Sequence, residues 1–126
     1  VSQRDEIEFM QRWLRERGEP VPSADPRGLP VHGGAHHELM PGMLNAAQLA
    51  QLDSARGSEF DRLFLVLMIQ HHRGAIQMVD SLFATPGAAR DGEVYRFAAD
   101  VHADQTAEIE RMSRLLLATR AARRAQ

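Results

Sequence analysis

Hydrophobic positions recur at helical spacing in four stretches of this chain, which predicts an all-α protein. Ile7, Met10, Trp13 and Leu14 predict a short amphipathic helix over residues 3–17, with Asp5, Glu6 and Glu8 near its start and Gly18 just past its end. Residues 18–44 then read as an irregular crossing, because Gly18, Pro20, Pro22, Pro26, Gly28, Pro30, Gly33 and Gly34 are too dense for a helix or a central strand. Pro41-Gly42 closes that crossing with a turn. Asn45 is the expected N-cap of a second short helix carrying Leu49 and Leu52, with Gly57 as its terminator.

Ser58 and Asp61 resemble a capping box that opens the most apolar stretch. There Phe60, Leu63, Phe64, Leu67, Met68, Ile69, Ala75, Ile76, Val79 and Leu82 sustain a helix to about Phe83, where Thr85-Pro86-Gly87 breaks it. The last helix runs from about Asp91 to Ala121, with Val94, Phe97, Ala98, Val101, Ile109, Met112, Leu115 and Leu116 as its buried stripe. Two long helices on a short connection should pack antiparallel, with the two shorter ones covering their remaining apolar side.

Composition narrows this picture. A chain of 126 residues suits a single helical domain over 1–126 with one core. A formal net charge of -2 gives no field that would draw in nucleic acid or anionic lipid, and Arg120, Arg123 and Arg124 suit the C-terminal end of a helix dipole. The absence of cysteine removes thiolate metal sites and thiol catalysis. No apolar run approaches the length of a membrane span, and the opening Val1-Ser2-Gln3-Arg4-Asp5-Glu6 has no signal-peptide core. Either the protein is cytosolic, or an export signal segment is absent from this chain, with any membrane contact made through a removed or absent anchor.

Chemistry concentrates in the third helix. At 100° per residue Asp61, Met68, His72, Ala75 and Val79 share one side, while His71 and Met78 lie along its margin. Met68 stands three and four residues before the two histidines, close enough for an imidazole and a thioether to reach one ion. His102, Gln105, Ile109 and Met112 share a face of the last helix, and His36, His37, Met40 and Met43 add donors from the crossing. Thioether sulfur is soft, so methionine mixed with histidine favours Cu(I), with Ag(I) by the same argument, over magnesium or calcium. The plainer alternatives stand beside this. Methionines are common core filler, a helical histidine pair is commonly a satisfied polar feature, Asp61 suits a cap, and Glu108 and Glu110 suit a solvated face.

The run Phe60-Asp61-Arg62-Leu63-Phe64-Leu65-Val66-Leu67-Met68-Ile69-Gln70-His71-His72-Arg73-Gly74-Ala75-Ile76-Gln77-Met78 resembles the signature of the domain of unknown function 305 family. The later Asp104-Gln105-Thr106-Ala107-Glu108-Ile109-Glu110-Arg111-Met112 is similar to its second motif. With Gly42-Met43 and Gln48-Leu49, the resemblance covers about Met40 to Leu117. It implies a ferritin-like helical bundle, in exported or membrane-anchored bacterial proteins of which some are associated with copper or silver binding and resistance. The motif positions carried over are Asp61, Met68, His71, His72, Met78, Gln105, Glu108 and Met112. His102, His36 and His37 enter on local spacing alone. Di-iron chemistry is not implied, since Glu93, Glu108 and Glu110 lack a histidine three residues on.

Two functions are therefore expected of different kinds. The first is a soft-metal protein that sequesters or delivers Cu(I), with a metal-donor or acceptor protein, or a second copy of itself, as partner. The second is a helical interaction module in which His–Asp contacts lock the bundle and no metal binds. No organic cofactor is expected, and no nucleophile context, phosphate loop or His-Glu-x-x-His motif supports an enzyme.

Overall fold

A computed structural model describes residues 3–21 and 40–125. Among the described residues there are four helices and no strand: α1 (Gln3–Glu16), α2 (Ala46–Ser54), α3 (Gly57–Ala84) and α4 (Gly92–Arg124). The chain divides into two compact units, Val1–His37 and Glu38–Gln126.

In the first unit α1 carries Asp5 and Glu6 in its first turn and Arg15 in its last, as the helix dipole favours. It ends in a Schellman motif, with Gly18 at φ 68° and Glu19 N–H donating to the Leu14 carbonyl at 2.9 Å. The Arg17 guanidinium lies 3.9 Å over the Trp13 ring.

The second unit is built on α3 and α4, which pack antiparallel. Four cross-helix contacts fix one register along their length: Glu59–Arg123, His72–Glu108, Asp80–His102 and Phe83–Tyr95. Each step up α3 is matched by one step down α4, so Met68 lies level with Met112. Leu67, Ile69, Val79 and Ala98 are the buried apolar residues. Leu115, expected in the buried stripe of α4, is 51% exposed, and Phe60 and Phe64 of the apolar run of α3 are 38% and 41% exposed. The physical reason is that α2 is only nine residues long and covers one side of α3, leaving a second side open.

Helix ends follow their sequence signals in two cases and depart in one. Asn45 forms a full capping box, accepting from Gln48 N–H at 2.8 Å while the Gln48 side chain accepts from Asn45 N–H at 3.0 Å. Asp91 accepts from the N–H groups of Glu93 and Val94. At α3 the expected Ser58–Asp61 box does not form. Gly57, at φ 59°, is the corner between α2 and α3, so Ser58 already lies inside the helix and Arg56 takes the cap position without a side-chain bond. Gly57 therefore opens α3, and α2 ends earlier on Ala55.

Glu59 shows the electrostatics of that first turn. Its hydrogen bonds from Arg62, the largest effect, outweigh an opposing loss of hydration and, with the lesser charge effects of Arg62 and Arg123, hold its carboxyl below the usual range. A carboxyl lowered on folding adds stability above its unfolded pKa, and that stability is lost as pH falls through the lowered value. The pair is at the surface, so the contribution is small and salt-screened. We expect Glu59→Gln to lower the melting temperature slightly at neutral pH and low salt, with the difference from wild type vanishing in acid. Equal differences at both pH values would contradict the assignment.

Candidate metal-binding face

The two adjacent histidines have different surroundings. His72 is 6% exposed and points at α4. Its Nδ1–H donates to the Met68 carbonyl at 2.8 Å, and its Nε2 meets Glu108 Oε2 at 2.5 Å. A carbonyl only accepts, so Nδ1 must carry hydrogen, and the Nε2–Oε2 contact then holds a proton between nitrogen and carboxyl. Both ring nitrogens are committed to the fold. Glu108, read from the sequence as a solvated face, is the half-exposed partner of this buried ring. Its signal was present in the spacing Val101, Gln105, Glu108, Met112, which is one stripe of α4, but pairing it with His72 needs the register between helices.

His71 is exposed, and the two rings stand 6.2 Å apart at 74°. Its Nδ1–H donates to the Gly42 carbonyl at 3.1 Å. That bond fixes the tautomer, leaving the lone pair on Nε2, for which the described residues supply no hydrogen-bond partner.

The Gly42 carbonyl arrives there by a tight backbone contact. Met40-Pro41-Gly42-Met43 forms a β-turn, with Met43 N–H donating to the Met40 carbonyl at 3.0 Å and Gly42 at φ 83°, the geometry Pro-Gly favours. The turn sits against Gly74, one turn along α3 from His71. A Cβ on Gly74 would lie 2.1 Å from the Pro41 carbonyl oxygen and 2.3 Å from Gly42 Cα. A Cβ on Gly42 would lie 2.6 Å from the His71 carbonyl oxygen. Only glycine at both positions lets the two backbones meet. Gln48 and Gln70 side chains, hydrogen-bonded at 3.0 Å, tie α2 to α3 on the same side.

The remaining candidates separate by position. Met40 and Met43 flank the docked turn at 58% and 36% exposure, and Met78 is 45% exposed one helical turn beyond Gly74. Met78, seven residues on from His71, shares its side of α3, and Met40 and Met43 bracket the turn whose Gly42 carbonyl accepts from His71. Met68 and Met112 are half-buried and stand at the same level along α3 and α4. His102 is held by Asp80 at 3.4 Å, away from His71. Asp61 is exposed and lies eleven residues from His72, a rise of about 16 Å, so it orients neither ring. His36 and His37 lie outside the described residues. Among the described residues no three His, Asp or Glu side chains converge as a metal site would require. The candidate donors with no partner given to them among the described residues are one imidazole nitrogen, on His71, and the exposed thioethers of Met40, Met43 and Met78. That set suits a soft ion and offers nothing to a hard one.

The model of the family described as a domain of unknown function, DUF305, matches residues 1–116. The chain belongs to the DUF305 family. Two solved members are similar to it. One is a DUF305 protein from Streptomyces coelicolor whose name carries the word secreted, with a TM-score of 0.69, 27% identity, and coverage of 93% of this chain and 67% of that one. The other is a DUF305 fragment from Deinococcus radiodurans, with a TM-score of 0.65, 30% identity, and coverage of 90% and 67%. A search of curated proteins finds no match. Among the described residues no helix is long and apolar enough to cross a membrane.

Proposed function

We propose that this DUF305 protein binds a soft metal ion, Cu(I) with Ag(I) as its chemical analogue, on the open side of α3, and serves to sequester or deliver it outside the cytoplasm. The observation that carries the reading is the fixed tautomer of His71. Its Nδ1–H is spent on the Gly42 carbonyl, so a basic Nε2 faces outward beside the turn that brings Met40 and Met43. Thioether sulfur from those residues and from Met78 is neutral and soft, which favours a monovalent ion of the same softness. An exposed site without enclosure suits transfer of the ion to another protein, and nothing in it calls for catalysis. The secretion noted for the Streptomyces relative, together with methionine in place of cysteine, fits an oxidising compartment where thiolate ligands would be consumed.

The second reading, a helical module without metal, draws support from His72 and His102, both engaged by carboxylates. The two readings differ in one measurement. Titrating the apo protein with Cu(I) under reductant should give saturable binding and a rise in melting temperature, since a ligand held only by the native state must stabilise it. His71→Ala should abolish both effects. Cu(I) leaving the melting temperature of the wild type unchanged would favour the metal-free module.

A further inference from the structure

The side of α3 that carries His71 is also the side that neither α2 nor α4 covers. At 100° per residue Phe60, Phe64, Met68, His71, Ala75 and Met78 fall within a band about 80° wide. Gln70 and Gly74 turn toward α2 and the Met40–Met43 turn, and His72 turns toward α4. Within the band Phe60 and Phe64 stack on each other with centroids 5.9 Å apart and, like Met78, keep between a third and a half of their surface in solvent. No aspartate, glutamate, lysine or arginine interrupts the band between Phe60 and Met78, a rise of about 27 Å. An apolar strip of that length on a soluble helix marks an interaction surface.

Its pattern is symmetric about His71. Phe64 and Met78 lie seven residues to either side, which is close to two helical turns, and Met68 and Ala75 lie three and four residues to either side. A second α3 laid antiparallel across the first therefore sets Phe64 against Met78 at both ends, an aromatic ring against a thioether, and the long Met68 against the small Ala75. The two His71 rings meet at the axis. A two-fold contact requires a surface complementary to itself, and this strip has that property.

Area decides what else is needed. A strip about 27 Å long and roughly 10 Å wide offers about 270 Å² per copy, well below the roughly 800 Å² per partner of a stable interface. Apolar contact alone does not hold two copies together. The exposed Nε2 of His71 supplies the missing element, because among the described residues one chain presents a single such nitrogen on this side, and a Cu(I) or Ag(I) ion can be held between two opposed neutral nitrogen donors.

We propose that a soft metal ion joins two copies of this protein across α3, with His71 of each copy as a ligand and Phe64–Met78 contacts flanking the ion. This inference rests on the metal-binding reading above. Sedimentation of the full chain with and without Cu(I) under reductant, with metal content measured on the same samples, tests it. The apo protein should be a monomer, and Cu(I) should double its mass at one ion per two chains. Phe64→Glu, a change at an exposed position confirmed as folded by circular dichroism, should remain a monomer while still taking up Cu(I). His71→Ala should lose both binding and dimer. A wild-type monomer that binds Cu(I) overturns the inference and leaves the metal reading standing, whereas a chain that takes up no Cu(I) overturns the metal reading and the inference with it. A dimer that persists in Phe64→Glu, or that forms equally without Cu(I), overturns the inference as well.

Discussion

Replacing Gly74 by alanine should weaken Cu(I) binding by roughly 10–100-fold, the cost usually seen when the groups that orient a metal ligand are disturbed. The added methyl meets the Pro41 carbonyl oxygen at 2.1 Å, and both atoms near it belong to backbone, which cannot rotate aside. Either α3 bends or the Met40–Met43 turn leaves its seat. In both cases the Gly42 carbonyl is withdrawn from His71 Nδ1, so the tautomer is no longer fixed and two thioethers move off with the turn. The sign of the stability change is informative because two effects oppose. Alanine is favoured over glycine inside a helix by about 1 kcal/mol, whereas forcing a methyl into a filled contact costs about 1–3 kcal/mol. We expect a net loss of about 1 kcal/mol in denaturant melts together with the loss of affinity. If Gly74→Ala instead raised stability with affinity unchanged, the turn would not be seated on α3 as described.

That contact also shows where sequence reading stops. Periodicity placed α3 and α4 and their antiparallel packing, because apolar residues at every third or fourth position leave few other arrangements for two helices on a short connection. Local chemistry placed the Asn45 cap and the start of α4 near Asp91, since a helix end is decided by residues within one turn of each other. It misplaced the start of α3, where Gly57 in the left-handed region governs the corner and leaves Ser58 no orphan N–H to satisfy. The divergence of His71 from His72 follows from 100° per residue and is seen in the 74° between their rings. What each ring touches could not be read. Glu108 is 36 residues from His72 and Gly42 is 29 from His71, so both contacts depend on how elements are registered against one another. Helical spacing on one element carries no information about that register. The same limit holds for Phe60 and Phe64: spacing places them in the apolar run of α3, and only packing shows whether anything covers them.

Replacing His72 by alanine should separate fold from site in the direction opposite to a change at His71. His72 is the buried polar residue of the core, and both its nitrogens hold partners. Its loss leaves a cavity between α3 and α4 and deprives the Glu108 carboxyl of its imidazole partner. Buried hydrogen bonds to charged groups contribute about 1.5–3 kcal/mol, and Glu108 is half open to water, which moderates the penalty for leaving it alone. A loss of about 2 kcal/mol follows, or roughly 10 °C in melting temperature for a unit of this size. Cu(I) affinity of the folded fraction should stay within a few-fold of wild type, because no donor of the proposed site is removed. His71→Ala should behave in reverse. It gives up one exposed hydrogen bond, worth about 1 kcal/mol or less, while the only imidazole with an uncommitted nitrogen among these two is gone. Thermal melts and Cu(I) competition titrations on the two variants read both quantities. A His72→Ala protein as stable as wild type but unable to bind Cu(I) would make His72 a ligand that releases Glu108 on metal binding. The structural role assigned to the His72–Glu108 pair would then fall.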